Sequence, residues 1–142
     1  MTVDFTGKRI AALDYGEARI GMAICDELHI VVSTRPFIPN GPDVLQTVKS
    51  RLADDRIDVV VVGVPILHDD RTTPIIESIR HFIDRLRVFV DIPVVEADEA
   101  FSTKSALALL RASGARRSAR TAKGRKDEVA AAVILRDFLE TI

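Results

Sequence analysis

Carboxylate side chains follow two short apolar runs of the chain, and another precedes its last apolar stretch. Asp14 ends the run RIAALD, Asp98 and Glu99 end the run PVVEADE, and Asp127 opens the stretch DEVAAAVILRDFLE. Because ligand sites gather beyond the carboxyl ends of parallel strands, these acids are expected to converge at one edge of a sheet. Carboxylates gathered without a basic partner suit a hard divalent cation such as Mg²⁺, which prefers oxygen ligands and is often completed by phosphates. Two such ions can activate a water and stabilise the leaving oxygen of a phosphodiester.

Each acid also has a purely structural interpretation. A strand-terminal Asp14 can be a turn former, and Asp127 can be the cap of a helix. Asp98 and Glu99 can cap the next helix or face solvent. Neighbours on a strand point to opposite faces, so only one of these two is expected to face a metal site, and the spacing does not choose between them. Gly16 permits a tight turn that brings backbone close to Asp14.

Apolar spacing predicts five strands and four helices in the order β-β-β-α-β-α-β-α-α. The strands are expected at 9–14, 19–26, 30–38, 58–65 and 93–99, and the helices are expected to begin after Gly41-Pro42, at Thr73-Pro74, at Ser102 or Thr103, and at Asp127. The first two strands are close enough to form a hairpin, and two prolines make the third an edge strand. Right-handed crossovers then favour one α/β domain over 1–142, a five-stranded mixed sheet of three antiparallel strands followed by two parallel ones, with helices on both faces.

Composition excludes several classes of protein. The single cysteine excludes a disulfide framework and a zinc site built on paired thiolates, and the three histidines show no ligand spacing. No apolar run is long enough to span a membrane, and the first residues carry no signal pattern, so no membrane partner and a cytoplasmic location are the default expectations. Aromatic residues make up only 5% of the chain, which weighs against a platform for stacking bases.

The near-neutral net charge of −1 conceals a strong separation of charge. Residues 104–126 carry eight cations and no acid, a charge of +8, and the rest of the chain carries 12 basic and 21 acidic side chains, a charge of −9. Such a segment can be a solvated face or a mobile loop. Because it leads directly into Asp127, it can also bring phosphates to the acids, with backbone contacts rather than base readout. The candidate phosphate contacts are Lys104, Arg116, Arg117, Arg120, Lys123, Arg125 and Lys126.

Four motifs occur in order along the chain: LDYGEARIGMA at 13–23, VVVVGVP at 59–65, DEAFST at 98–103 and KDEVAAAVIL at 126–135. Together they resemble the YqgF or RuvX family of bacterial proteins, which have an RNase H-like fold similar to that of RuvC-type Holliday junction resolvases. The resemblance covers nearly the whole chain. It implies an endonuclease that hydrolyses phosphodiester bonds with two Mg²⁺ or Mn²⁺ ions. The acidic triad of the family falls on Asp14, on the acid pair, where Glu99 is favoured, and on Asp127.

The same resemblance implies nucleic acid as the partner. Members of the family are described as nucleases maturing the 5′ end of pre-16S rRNA and as Holliday junction resolvases, and a resolvase needs two active sites and hence a homodimer. Ala100 stands where the family commonly has Arg, and the loop ILHDDRTTP lacks the usual glycine. The alternative functions are a non-catalytic nucleic-acid-binding factor in transcription or ribosome assembly, and a phosphotransferase. The second follows from a likeness of DYGEARIG to the phosphate loop of actin-like ATPases, which need two such domains.

Overall fold

The sheet is built around a strand that is buried at every position. The computed structural model describes residues 3–65, 73–98 and 123–142, with 123–128 described by their backbone alone. Strand β4 (Val59–Val64) reads VVVVGV and lies between β1 (Ile10–Asp14) and β5 (Val94–Asp98), parallel to both. A continuous β-branched run of this kind is typical of a central strand covered on both faces.

A three-stranded antiparallel meander forms the other half of the sheet. Strand β2 (Arg19–Cys25) pairs with β1 and with β3 (Val32–Pro39), both antiparallel, which gives the order β3-β2-β1-β4-β5. The predicted mixed sheet and the predicted edge position of β3 are therefore confirmed. β3 begins two residues later than expected, because the amides of Ile30 and Val31 donate to the Asp26 carboxylate at 2.9 and 2.8 Å instead of joining the ladder.

Two helices cover one face of the sheet, here called the α1–α2 face. Helix α1 spans Val44–Asp54, and α2 spans Pro74–Phe89. The predicted start of α2 is confirmed: the Thr73 hydroxyl accepts the Ile76 amide at 3.3 Å, and proline occupies the first position. The side chains that these helices bury against the sheet are Val44, Val48, Leu52, Ile76, Ile79, Phe82, Ile83 and Leu86.

A third helix covers the opposite face, here called the α3 face. Helix α3 (Lys123–Leu139) packs on β1, β2 and β3 through Ala131, Ala132, Ile134 and Leu135. It begins four residues before the expected start at Asp127, because lysine and arginine have good helix propensity although they show no apolar period. The predicted helix at Ser102 or Thr103 and the loop after Pro65 lie outside the described residues. No helix in the described part of the chain is long and apolar enough to cross a membrane.

Candidate active site at the carboxyl edge of the sheet

Asp14 is the last residue of β1 and stands at the edge where β1, β4 and β5 all end. Ala11 and Leu13 pack on the α1–α2 face, whereas Ile10 and Ala12 pack on the α3 face. Because side chains alternate along a strand, Asp14 lies on the α3 face. Its side chain is partly buried. The carboxylate therefore stands at the carboxyl edge of the sheet, where sites in open α/β folds gather.

The residues beside Asp14 on the α3 face have little or no side chain. Gly21 pairs directly with Asp14 across the β1–β2 ladder. On the other side Leu13 pairs with Val62, and the next residue of β4, Gly63, pairs with Ala97 of β5. Asp14 therefore stands in a row of Gly21, Asp14, Gly63 and Ala97, called here the small-residue row. Within the sheet, no side chain larger than that of alanine flanks the carboxylate in this row.

The turn that follows Asp14 is held from two sides. The Asn40 side-chain amide donates to the Gly16 carbonyl at 2.8 Å, and its backbone amide donates to the Ala18 carbonyl at 3.0 Å. The Tyr15 ring packs against Phe82 of α2, with the ring centroids 5.3 Å apart. In the sequence Asn40 directly precedes Gly41-Pro42, and no local pattern indicates its contact with Gly16.

Gly16 is the position in this turn where a side chain does not fit. A Cβ atom there would lie 2.5 Å from the Arg19 carbonyl oxygen, a backbone atom that cannot move aside cheaply. The close approach of the two chain segments is what lets β2 return beside β1 so soon after Asp14. The residue contributes to the site by allowing this tight path.

Asp98 ends β5 but belongs to the other face of the sheet. It is in register with Val64, which packs on the α1–α2 face. Glu96, two residues earlier on the same side of the strand, forms an ion pair of 3.7 Å with Arg80 of α2. Asp14 and Asp98 thus share an edge of the sheet but project from opposite faces.

Helix α3 ends beside the segment that precedes β1. The Phe138 ring meets Phe5 edge-on at 5.2 Å, which places the end of α3 beside the segment that precedes β1. Eleven residues of helix separate Phe138 from position 127, or about 16 Å, which is close to the length of a five-residue strand such as β1. The start of α3 therefore lies towards the carboxyl end of β1.

Several predicted site residues lie outside the described part of the chain. These are Glu99, Lys104, Arg116, Arg117 and Arg120, and the side chains of Lys123, Arg125, Lys126 and Asp127. Among the described residues, no three His, Cys, Asp or Glu side chains come close enough to hold a metal ion. Asp14 and Asp98 are thus the two predicted ligands whose side chains the structure locates.

The motif order, the sheet order and the position of Asp14 agree with one known family. The model of RuvX, described as Holliday junction resolvase, matches residues 8–141. The chain belongs to the RuvX family. A RuvX relative from Chlorobium luteolum is 37% identical over 134 residues, 93% of this chain and 94% of the relative. Another from Flavobacterium johnsoniae is 30% identical over 94% of this chain and 96% of the relative. Both are provisionally named pre-16S rRNA nuclease.

Solved structures show that the RuvX fold is the RuvC-like, RNase H-like fold. The fowlpox virus Holliday junction resolvase superposes with a TM-score of 0.55 at 12% identity, covering 94% of this chain and 98% of that one. Thermus thermophilus RuvC in complex with a Holliday junction superposes with a TM-score of 0.51 at 14% identity, covering 89% and 91% of the two chains. The predicted fold class is confirmed.

Proposed function

We propose that this RuvX chain is a nuclease that hydrolyses phosphodiester bonds with Mg²⁺ or Mn²⁺ held by Asp14, Glu99 and Asp127. The observation that carries the proposal is the position of Asp14 in the small-residue row, on the face where α3 begins. A carboxylate at a sheet edge, flanked within the sheet by glycines, is suited to hold a ligand between itself and a neighbouring element.

The donor set fits a hard divalent cation. The three proposed ligands are carboxylates, and Mg²⁺ takes oxygen ligands while keeping waters and substrate phosphates. Gly21 and Gly63 place no side chain beside Asp14 within the sheet. When bound, a pair of such ions lowers the pKa of a water and neutralises charge that develops on the leaving oxygen.

Strand alternation supports Glu99 over Asp98 as the second ligand. Asp98 lies on the α1–α2 face, in register with Val64. Asp14 lies on the α3 face, so Asp98 does not share its face. Glu99 is also the member of the pair that the family resemblance favours.

Helical spacing supports Asp127 as the third ligand. Position 127 lies one turn before Ala131, which is fully buried against the sheet. The helix begins at Lys123, so Asp127 lies beyond its first turn and does not have the position of an N-cap. This placement favours a role in the site over a role in capping.

The chain's own residues keep the Asp14 carboxylate in place. Asn40 and Tyr15 hold the turn after β1 from two sides, as the hydrogen bonds and the ring contact show. A fixed carboxylate needs little reorganisation when a phosphodiester arrives, which lowers the free energy of reaching the transition state.

The proposed substrate is the 5′ leader of pre-16S rRNA, a four-way DNA junction, or both. The first is what the names of the curated relatives indicate, and the second is what the family description indicates. Cleavage of a junction at two strands needs two copies of the site, so junction resolution carries with it the proposal of a homodimer.

Asp14→Asn tests the proposed function. The protein, the variant and the control Asp91→Asn, an exposed acid between α2 and β5, are incubated with both labelled substrates and with Mg²⁺ or Mn²⁺. We expect the protein and the control to cleave at least one substrate. We expect Asp14→Asn to be slower by about a thousandfold, because losing a metal ligand removes several kcal/mol of transition-state stabilisation.

Two outcomes contradict the proposal. An Asp14→Asn protein as active as Asp91→Asn eliminates Asp14 from the mechanism. Failure of the parent protein to cleave either substrate with either ion favours the non-catalytic binding factor. Circular dichroism of the variants separates a loss of chemistry from a loss of fold.

A further inference from the structure

An arginine and a phenylalanine form a stacked pair on the α3 face, close to Asp14. The guanidinium carbon of Arg19, the first residue of β2, lies 4.8 Å from the ring centroid of Phe37 in β3. Phe37 is 38% exposed although it is a large apolar residue. The ring is therefore held at the surface beneath a cation.

A bulge in β3 lies opposite Gly21, the glycine that pairs with Asp14. Ile20 pairs with Ile38 and Met22 pairs with Arg35, so the two residues Pro36 and Phe37 stand opposite Gly21. Bulges of this kind are frequent beside active sites, where they redirect a side chain. Arg19 is two residues from Gly21 along β2 and so shares its face.

Along the described sheet, Gly21 lies between the pair and the proposed catalytic acid. Gly21 pairs with Asp14 on one side and faces the bulge on the other. Neighbouring strands are about 4.8 Å apart, so the backbone of Phe37 lies about 10 Å from that of Asp14. A strand of nucleic acid with one phosphate at Asp14 can therefore place a nearby phosphate within reach of the Arg19 side chain.

The chemistry of the pair fits a phosphate. A guanidinium carries five N–H donors in a planar fork that matches phosphate oxygens, and it can stack on an aromatic ring while its edge still donates. The ring restricts the arginine side chain, which lowers the entropy lost on binding. Because the phosphate backbone is the same for every sequence, such a contact positions the strand without reading its bases.

We infer that Arg19, held by Phe37, binds a phosphate that flanks the scissile phosphodiester on the β3 side of Asp14. The inference rests on the proposed nuclease function for its substrate class. It adds a binding subsite on the described sheet, separate from the basic segment at 104–126.

Binding is measured in the Asp14→Asn protein, where cleavage does not interfere. The probe is a short fluorescein-labelled RNA, titrated by anisotropy between about 50 and 200 mM salt. The variants added to that background are Arg19→Gln, Phe37→Leu and Phe37→Tyr. The control is Arg85→Gln, which removes the same charge from an exposed position of α2 on the opposite face.

We expect Arg19→Gln to weaken binding about tenfold and to reduce the salt slope by about 0.7, the value for one phosphate contact on a single strand. Phe37→Leu weakens binding roughly two- to fivefold because the guanidinium loses its stacking partner, and Phe37→Tyr retains binding. Arg85→Gln keeps the affinity and slope of its parent.

The inference is overturned if Arg19→Gln matches Arg85→Gln in affinity and in salt slope. A lower melting temperature of Arg19→Gln does not change this conclusion, because it would show only that the pair stabilises the packing of β3 on β2. It is overturned as well if the Asp14→Asn protein does not bind the RNA. Failure of the nuclease proposal has a different signature, since it shows as absent cleavage by the parent protein while Arg19→Gln still binds more weakly than its control.

Discussion

The surroundings of Asp14 are determined by glycines as well as by residues with larger side chains. Gly21 places no side chain beside Asp14 in the ladder, and Gly16 lets the chain turn back within van der Waals contact of Arg19. The sequence identified Asp14 and Gly16 as candidate site residues, but it allowed a purely structural role for each of them. The register of the sheet adds the neighbours of Asp14, which are Gly21 on one side and the β4 strand on the other.

Gly16→Ala tests the tight turn at the residue scale. The added Cβ would lie 2.5 Å from the Arg19 carbonyl oxygen, so the backbone after Asp14 must shift. We expect the free energy of unfolding to fall by about 1–3 kcal/mol, as for overpacked sites, and cleavage to slow because Asp14 moves with the turn. Urea denaturation and a cleavage assay measure the two effects.

The matched control is Gly41→Ala. Nothing lies within 4 Å of a Cβ atom built at Gly41, so the same substitution there should leave stability and cleavage nearly unchanged. Equal unfolding midpoints for the two alanine variants would show that the turn adapts without strain.

The β2–β3 turn shows how one side chain organises an element. The Asp26 carboxylate accepts the amides of Leu28, Ile30 and Val31 at 3.3, 2.9 and 2.8 Å. These bonds satisfy amides that would otherwise enter the ladder, and they explain why β3 begins at Val32. The apolar pattern predicts a strand from residue 30 because Ile30 and Val31 are apolar. The pattern carries no information on the groups that accept hydrogen bonds from their amides.

This turn makes the stability of the protein depend on pH. Backbone amides, that of Val31 foremost, hold the pKa of Asp26 below its ordinary value of 3.8. A carboxyl group whose pKa is lower in the folded state than in the unfolded state stabilises the fold above the unfolded pKa. That contribution is lost as the pH falls from about 3.8 through the folded pKa.

We therefore expect Asp26→Asn to lower the melting temperature near neutral pH and to differ less from the parent protein as the pH falls below about 3.8. Thermal melts over a pH series measure the difference. Asp91→Asn, at an exposed position that accepts none of these amides, serves as the control. A difference between Asp26→Asn and the parent that stays constant down to acid pH contradicts the linkage.

Helix α3 contains Asp127, one of the proposed site residues. Its apolar second half was predicted from spacing, because Ala131, Ile134 and Leu135 recur on one face. Its basic first turn was not predicted, since polar residues carry no period. The earlier start matters because the backbone of Asp127 lies within the helix and not at the cap position.

At the scale of the whole molecule, the separation of charge predicts the behaviour of the protein with nucleic acid. The segment 104–126 carries +8, and the remainder carries −9. We expect affinity for duplex DNA to fall steeply with salt, with a slope of about 0.9 for each phosphate neutralised. Replacing Arg116, Arg117 and Arg120 by Gln should flatten this slope by about 0.9 for each arginine that contacts phosphate.

A salt titration compares the slope of the triple variant with that of Arg85→Gln. The comparison shows whether losing cations from the segment has a larger effect than losing one cation from elsewhere on the surface. A slope that does not change in the triple variant would remove these arginines from the interface. The same titration of Arg19→Gln separates the contribution of the sheet from that of the segment.

The sequence by itself determined the kinds of element and their order. Apolar period, prolines and caps predicted all five strands and the two helices of the α1–α2 face, and four ordered motifs indicated the RuvX family. These properties are local, because each depends on residues close together in the chain. The charge separation is equally a property of the chain, and it follows from counting.

Only the tertiary structure decided which side chains lie on the same face of the sheet and opposite one another on neighbouring strands. Register joins segments far apart in the chain, and a shift of one residue moves every side chain to the opposite face. Pairing thus placed Asp98 with Val64 on the α1–α2 face, and it placed Gly21 between Asp14 and the bulge at Phe37. The sequence contains few aromatic residues, but the fold places one of them, Phe37, against Arg19 beside the proposed site.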